Sequence, residues 1–338
     1  MKSVRIPKPI IYDIKGGDIS KEVLRELYRM MLKIRKVQLK ISELYHEDEM
    51  RTPVHLYIGQ EAVATGVCAN LNVEDYVFSN HRGHGHYIAK GGNIKAMVAE
   101  LYNRESGCSR GRGGSMHLID TSVGLLGSSS IVGGCVPLAT GAALGEVLQK
   151  RNRVSVSFFG DAAVEEGVLY ESINFAMLKR LPVVYVCENN FYSVCSPLSN
   201  RQATDDIYRR FEGLSIPGYR VDGNNVIEVY RVAKETINHA RGGSGPSFIE
   251  CRTYRLKDHH GTGSGVEVGY RKGEEVDEWA KRCPVRNFER FLVERKIMGE
   301  GEIEEFAAVI DREVGKAFEF AQASPLPDEG KVLKYLYQ

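Results

Sequence analysis

Two mostly apolar runs, Val154–Phe159 and Val183–Cys187, flank a stretch with helical spacing over residues 165–179. That order reads as a buried strand, a crossover helix and a second buried strand. The pattern continues in both directions. Residues 75–79 read as a strand, and Gly133–Gln149 as a helix rich in Gly and Ala, a composition that lets neighbouring backbones approach closely. After a long loop come a short strand at 219–221, a helix at 226–240 and a strand at Phe248–Cys251. Such alternation predicts a doubly wound α/β fold, with a mostly parallel sheet and helices on both faces. Helical extensions are expected at both ends. Ser20 is placed to cap a helix reaching about Tyr45, with Leu24, Leu27, Met31, Ile34, Ile41 and Tyr45 as its apolar stripe and Gln38 interrupting it. The stripe packs on the chain's own core in the plainer reading and on another subunit in the sharper one. From Val285 onward the pattern is helical, before a Pro-containing segment and an apolar tail. The expected organisation is an N-terminal segment and helix at 1–50, an α/β domain at 51–284, and a C-terminal helical extension and tail at 285–338.

Composition narrows the class without naming a function. Hydrophobic content of 43% and charged content of 26% suit a soluble globular protein, and a net charge of +1 gives no reason to expect nucleic acid or an anionic membrane as partner. The longest uncharged stretch, Thr121–Gly145, is broken by six glycines, four serines and Pro137, and reads as a buried loop entering a helix rather than a membrane span. Seven cysteines without a CxxC read as reduced thiols in a cytoplasm. Lys2, Arg5 and Lys8 are not followed by an apolar run, so no signal peptide is expected.

The chemistry concentrates where strands end. Gly160-Asp161 closes one strand, and Asn189-Asn190 closes the next. Parallel neighbours put their carboxyl ends on one edge of a sheet, so Asp161 and Asn190 should meet in a crevice there. A carboxylate and an amide oxygen suit a hard cation such as Mg2+ that keeps room for diphosphate oxygens. Ala162 and Ala163 permit close backbone approach, and a helix opening after Ala163 should aim free N–H groups at the same place. Alone, a Gly-Asp pair is a helix cap and an Asn-Asn pair is a turn; their joint placement favours a metal-bridged diphosphate site. Arg82 ends a strand within His81-Arg82-Gly83-His84-Gly85-His86 and can pair with a phosphate. The three histidines of that segment lack the ligand spacing of a structural zinc site. His259-His260 follows strand 248–251 on the same expected edge, where a histidine can move protons or hold a phosphate. His55 has no local signature beyond polarity in an apolar setting.

Together these segments resemble the alpha subunits of the thiamine-diphosphate-dependent 2-oxo acid dehydrogenases. The resemblance runs from the helix at 20 to Ala323-Ser324-Pro325. It includes His55-Leu56 with Gly59-Gln60-Glu61-Ala62, Gly113-Gly114-Ser115-Met116-His117, Ile131-Val132-Gly133, Glu188-Asn189-Asn190-Phe191-Tyr192, Arg220-Val221-Asp222-Gly223 and Thr253-Tyr254-Arg255. It implies the thiamine-diphosphate-binding fold. By that resemblance Asp161, Asn190 and the Tyr192 carbonyl are Mg2+ ligands, and Arg82 and His259 hold the diphosphate with backbone groups of Gly160, Ala162 and Ala163. Ser130 and Val132 meet the aminopyrimidine through their backbones, and His55 and His259 are the active-site histidines.

The resemblance also implies what the chain lacks. The glutamate that protonates the aminopyrimidine, and the pyrimidine-binding domain, come from a beta-type subunit in two-subunit members, so two alpha and two beta chains are expected. Three positions depart from the family pattern. Ala162 replaces a glycine, His81 replaces a tyrosine beside the arginine, and the loop after Arg255 carries His260 and Gly263 in place of a serine and an acid. The leading reading is decarboxylation of a 2-oxo acid with acyl transfer to a lipoyl carrier on an acyltransferase. The altered loop motivates a second, a carboligase that passes the unit to an aldehyde or sugar. A third, a non-catalytic scaffold, has no need of Asp161, Asn190 and Arg82 together.

Overall fold

The two apolar runs pair as the pattern predicts. Ser155–Gly160 lies parallel to Val183–Asn189 in unbroken register, from Ser155 opposite Val183 to Gly160 opposite Glu188. The computed structural model describes residues 8–14, 18–331 and 333–334. Lys2, Arg5 and the last four residues of the apolar tail lie outside the described residues.

In chain order the elements are α1 (Lys21–Leu44), α2 (Glu61–Cys68), β1 (Tyr76–Asn80), α3 (His84–Ala89), α4 (Ile94–Leu101), β2 (Leu125–Ser129) and α5 (Cys135–Leu148). Next come β3 (Ser155–Gly160), α6 (Gly167–Lys179), β4 (Val183–Asn189), the hairpin strands β5 (Tyr192–Ser193) and β6 (Ser196–Pro197), and α7 (Leu198–Arg201). β7 (Gly218–Asp222), α8 (Val226–Arg241), β8 (Ser247–Arg252), α9 (Gly273–Lys281), α10 (Pro284–Glu294) and α11 (Glu300–Ala323) complete the chain. Six strands form one sheet in the order β2-β1-β3-β4-β8-β7, and every pairing within it is parallel. The fold is therefore the expected doubly wound α/β sheet. α2 and α8 cover one face, and α5 and α6 cover the other. The central strands are buried on both sides, which is why they read as near-continuous apolar runs.

α1 matches its expected span. Ser20 caps it, its Oγ accepting the Val23 N–H at 3.3 Å, and its stripe is buried against the chain's own core. Gln38, the interruption, is fully buried and makes long-range hydrogen bonds. No helix among the described residues is long and apolar enough to cross a membrane.

Two local readings need correction. Thr121–Gly145 is not a plain loop before a helix, because it contains strand β2. β2 is an edge strand with Leu125 as its buried residue, and Gly127, Ser128 and Ser129 give it no apolar alternation to read. The helix expected to open after Ala163 begins at Gly167, since Asp161–Glu165 forms a 3-10 turn and Glu166 is extended. Within the His81–His86 segment, α3 starts at His84.

Candidate active site

β1 and β3 are neighbours whose following connections leave in opposite directions, one to β2 and the other to β4. A crevice opens beyond the carboxyl ends of strands at such a point. Here it is a cavity of about 270 Å3. His55, Arg82, Ser130, Val132, Gly160, Asp161, Ala162, Ala163, Asn190, Tyr192 and His259 all line it, so every side chain and backbone group expected from the sequence comes to one place. A wider groove of about 740 Å3 beside β7 involves Asp206 and Asp222, which pair with Arg220, Arg252 and Arg282. Those aspartates are already held in ion pairs.

Asp161 is fully buried in the 3-10 turn that follows β3. Burial raises its carboxyl pKa, opposed chiefly by the Arg201 guanidinium, which bonds both Asp161 and Glu165. A cation thus already sits at one Asp161 oxygen. Gly160 presents bare backbone to the cavity, because a Cβ there meets nothing within 4 Å. The two asparagines divide their work. Asn189 is buried and structural, donating to Glu250 at 2.8 Å, whereas Asn190 lines the cavity and accepts a long 3.4 Å bond from the Tyr192 N–H. Phe191 between Asn190 and Tyr192 has φ +68°, a left-handed conformation costing on the order of 1–3 kcal/mol for a bulky residue. Packing on Trp279, at 5.7 Å between rings, and the Tyr192 hydroxyl bond to Glu275 at 2.8 Å hold this turn.

Arg82 is 3% exposed, and its guanidinium donates to the Leu56 carbonyl at 2.8 Å and the His259 carbonyl at 3.0 Å. Arg255, 1% exposed, donates to the Val194 carbonyl at 2.9 Å, while its Nε and Nη1 have no partner. Neither guanidinium has a carboxylate within ion-pair distance among the described residues. Burial lowers the pKa of both; the Arg255 charge lowers Arg82 further, and the Arg271 charge lowers Arg255. Two buried cations held by neutral carbonyls at one cavity wall fit an anionic ligand.

The loop that carries His259 is docked rather than free. Leu256 N–H donates to Ile58 at 3.0 Å, Gly261 N–H to Val54 at 2.9 Å, and His55 bridges to Gly261 in parallel fashion. Arg271 pins the same loop through the Arg255 and Lys257 carbonyls at 2.5 and 2.8 Å. The His55 and His259 rings consequently lie 5.1 Å apart, and His81 joins them at 4.9 and 5.3 Å. The other two histidines of the β1–α3 segment go elsewhere. His84 bonds Gln38 and Ser115, and His86 lies between Ser79 and Glu188.

Sequence reasoning missed Gln60, Glu188 and Arg255 as lining residues. Arg255 had a signal, since it follows β8 on the edge already assigned to His259. Glu188 had none; it is a buried acid bonded to the Tyr57 hydroxyl and 3.2 Å from His86.

The carboxyl ends of this parallel sheet thus bring an acid, an amide and two guanidiniums without carboxylate partners to one cavity. A family model for the dehydrogenase E1 component matches residues 28–329, and the chain belongs to that family. The alpha subunit of the acetoin:2,6-dichlorophenolindophenol oxidoreductase of Bacillus subtilis is 38% identical over 324 residues, covering 96% of each chain. Pyruvate dehydrogenase E1 alpha subunits are similarly close. That of Rickettsia felis is 36% identical over 318 residues, covering 94% of this chain and 97% of its own. That of Rhizobium meliloti is 37% identical over 325 residues, covering 95% and 92%.

Proposed function

We propose that the chain holds the metal–diphosphate end of thiamine diphosphate. Asp161, Asn190 and the Tyr192 carbonyl serve as Mg2+ ligands. Arg82, His259 and the backbone at Gly160, Ala162 and Ala163 receive the diphosphate, and Ser130 and Val132 meet the aminopyrimidine. The coenzyme, when bound, supplies the nucleophilic carbon and electron sink for decarboxylating a 2-oxo acid. His55 and His259 orient the substrate and move its protons. The observation carrying this reading is the cavity wall formed by Arg82 and Arg255, two buried cations without carboxylate partners. Titration calorimetry of thiamine diphosphate into the assembled enzyme tests it. Binding should require Mg2+ and vanish in Asp161→Ala; Mg2+-independent binding that survives this change refutes it.

A beta-type partner, in two alpha and two beta chains, supplies the missing glutamate. Support comes from α5, where a Cβ on Gly141 would meet nothing, so the glycine serves no neighbour within this chain. This differs from the close internal packing its composition suggested. Leu138 and Leu148 on α5, Leu178 on α6, and Ile131 before α5 are 57–73% exposed. A cavity near the lower end of the range for ligand sites, roughly 300 Å3, also suits a site shared between subunits. The acyl group passes to a lipoyl carrier in the reading favoured here, in a cytoplasm that keeps all seven thiols free.

The second reading, a carboligase, draws on the altered loop after Arg255, where His260 and Gly263 replace a serine and an acid of the family pattern. Product analysis with and without lipoamide separates the two.

A further inference from the structure

His55, His81 and His259 come from three separate segments, yet their ligating nitrogens all lie within 4.8 Å of one another. We propose that these three imidazoles form a binding site for a divalent transition-metal ion of the Zn2+ or Co2+ class. The site is distinct in ligands from the carboxylate–amide pair at Asp161 and Asn190, but it shares His55 and His259 with the substrate and diphosphate roles proposed above, so a transition metal held there excludes those roles while it is bound.

Three observations carry it. His55 is 6% exposed and its Nδ1 has no hydrogen-bond partner, so a member of the cluster carries a buried, unsatisfied polar atom. Among the described residues, none of the three rings bonds the protein through a ring nitrogen; their contacts are edge-on or tilted approaches to one another. Burial, and after it the Arg82 charge, holds all three imidazoles well below their usual range, so their lone pairs are free at neutral pH. Nitrogens around a tetrahedral zinc stand about 3.3 Å apart, given Zn–N bonds of about 2.0–2.1 Å, and side-chain rotations close that difference. His260 stands farther off, at 6.2 and 6.4 Å from the His259 and His55 rings, and is not one of the three.

The site has a chemical preference. Neutral imidazoles suit borderline ions and bind Mg2+ or Ca2+ poorly. Three protein ligands leave a fourth position toward the cavity, where the unpartnered Arg255 nitrogens favour an anion such as chloride, hydroxide or a carboxylate. That anion offsets the repulsion between the metal and the two guanidiniums.

The test uses the full chain, freed of metal with a chelator and titrated with Co2+ alone. One equivalent should bind with the visible bands of four-coordinate cobalt, and Zn2+ should displace it while excess Mg2+ does not. His81→Tyr and, separately, His55→Gln should each weaken binding at least ~10-fold. His46→Gln, an exposed histidine away from the cavity, should leave it unchanged. Asp161→Ala should keep the cobalt bands while abolishing Mg2+-dependent coenzyme binding, so failure of either idea is seen separately. Six-coordinate spectra, or binding that survives both histidine changes in chains with native circular dichroism, overturns the proposal.

Discussion

His84 Nδ1 lies 3.2 Å from the Gln38 side-chain oxygen, which also accepts the Tyr57 backbone N–H at 2.9 Å. That oxygen ties α1 to α3 and to the segment carrying His55. A backbone N–H can only donate, so the amide orientation is fixed, and His84 carries its proton on Nδ1 while Nε2 accepts from Ser115 at 2.9 Å. Gln38→Leu strands two buried donors but also removes the unpartnered Gln38 Nε2. The expected net loss is about 1–3 kcal/mol, read as a lower urea midpoint with an unchanged m-value.

The same histidine makes stability depend on acid. Burial, with Arg82 behind it, lowers the His84 pKa from 6.5 to about 3. The unfolded chain therefore takes up a proton below pH 6.5 that the folded chain refuses. Stability should fall with decreasing pH by about 1.4 kcal/mol per unit from this group alone, until about pH 3. Urea midpoints measured at about pH 7 and about pH 5 check it, and His84→Asn should make the slope shallower, leaving the part owed to His55, His81 and His259.

Arg201 competes with any metal for Asp161. Arg201→Ala removes a charge-assisted bond worth about 1.5 kcal/mol, so the Mg2+ concentration needed for half-maximal coenzyme binding should drop roughly tenfold. An unchanged requirement shows that the guanidinium does not oppose the ion.

Arg271 should matter through the loop it pins. Arg271→Ala removes the bonds to the Arg255 and Lys257 carbonyls, freeing the segment beside His259. Limited proteolysis should cut within 257–268, and kcat/KM should fall on the order of 10- to 100-fold with the melting point little altered.

On α5, Gly141→Leu fills space that nothing in this chain occupies. The variant should fold normally yet fail to co-purify with the beta-type chain. Retained assembly rules out this helix as the contact.

Much of the frame was legible because buried parallel strands write themselves as apolar runs. Val154–Phe159 and Val183–Cys187 fell within a residue or two of β3 and β4, and their ends marked where Asp161 and Asn190 meet. β2 was not legible, since an edge strand of Leu, Gly and Ser owes its place to β1 rather than to its own pattern. The histidine cluster was equally hidden. His55, His81 and His259 are far apart in sequence, and only the docking of the 256–263 loop onto Val54–Ile58 unites them. The spacing of His81, His84 and His86 gave no ligand set, and the fold sends those three side chains to different neighbours.

The short backbone bridge joining Val54–Ile58 to Leu256–Gly261 welds the two histidine-bearing strips into one piece. Their spacing is inherited from main-chain geometry and owes little to side-chain freedom. Evolution or design that retunes this mouth must shift both strips in concert, and a change that drags one alone tears the seam.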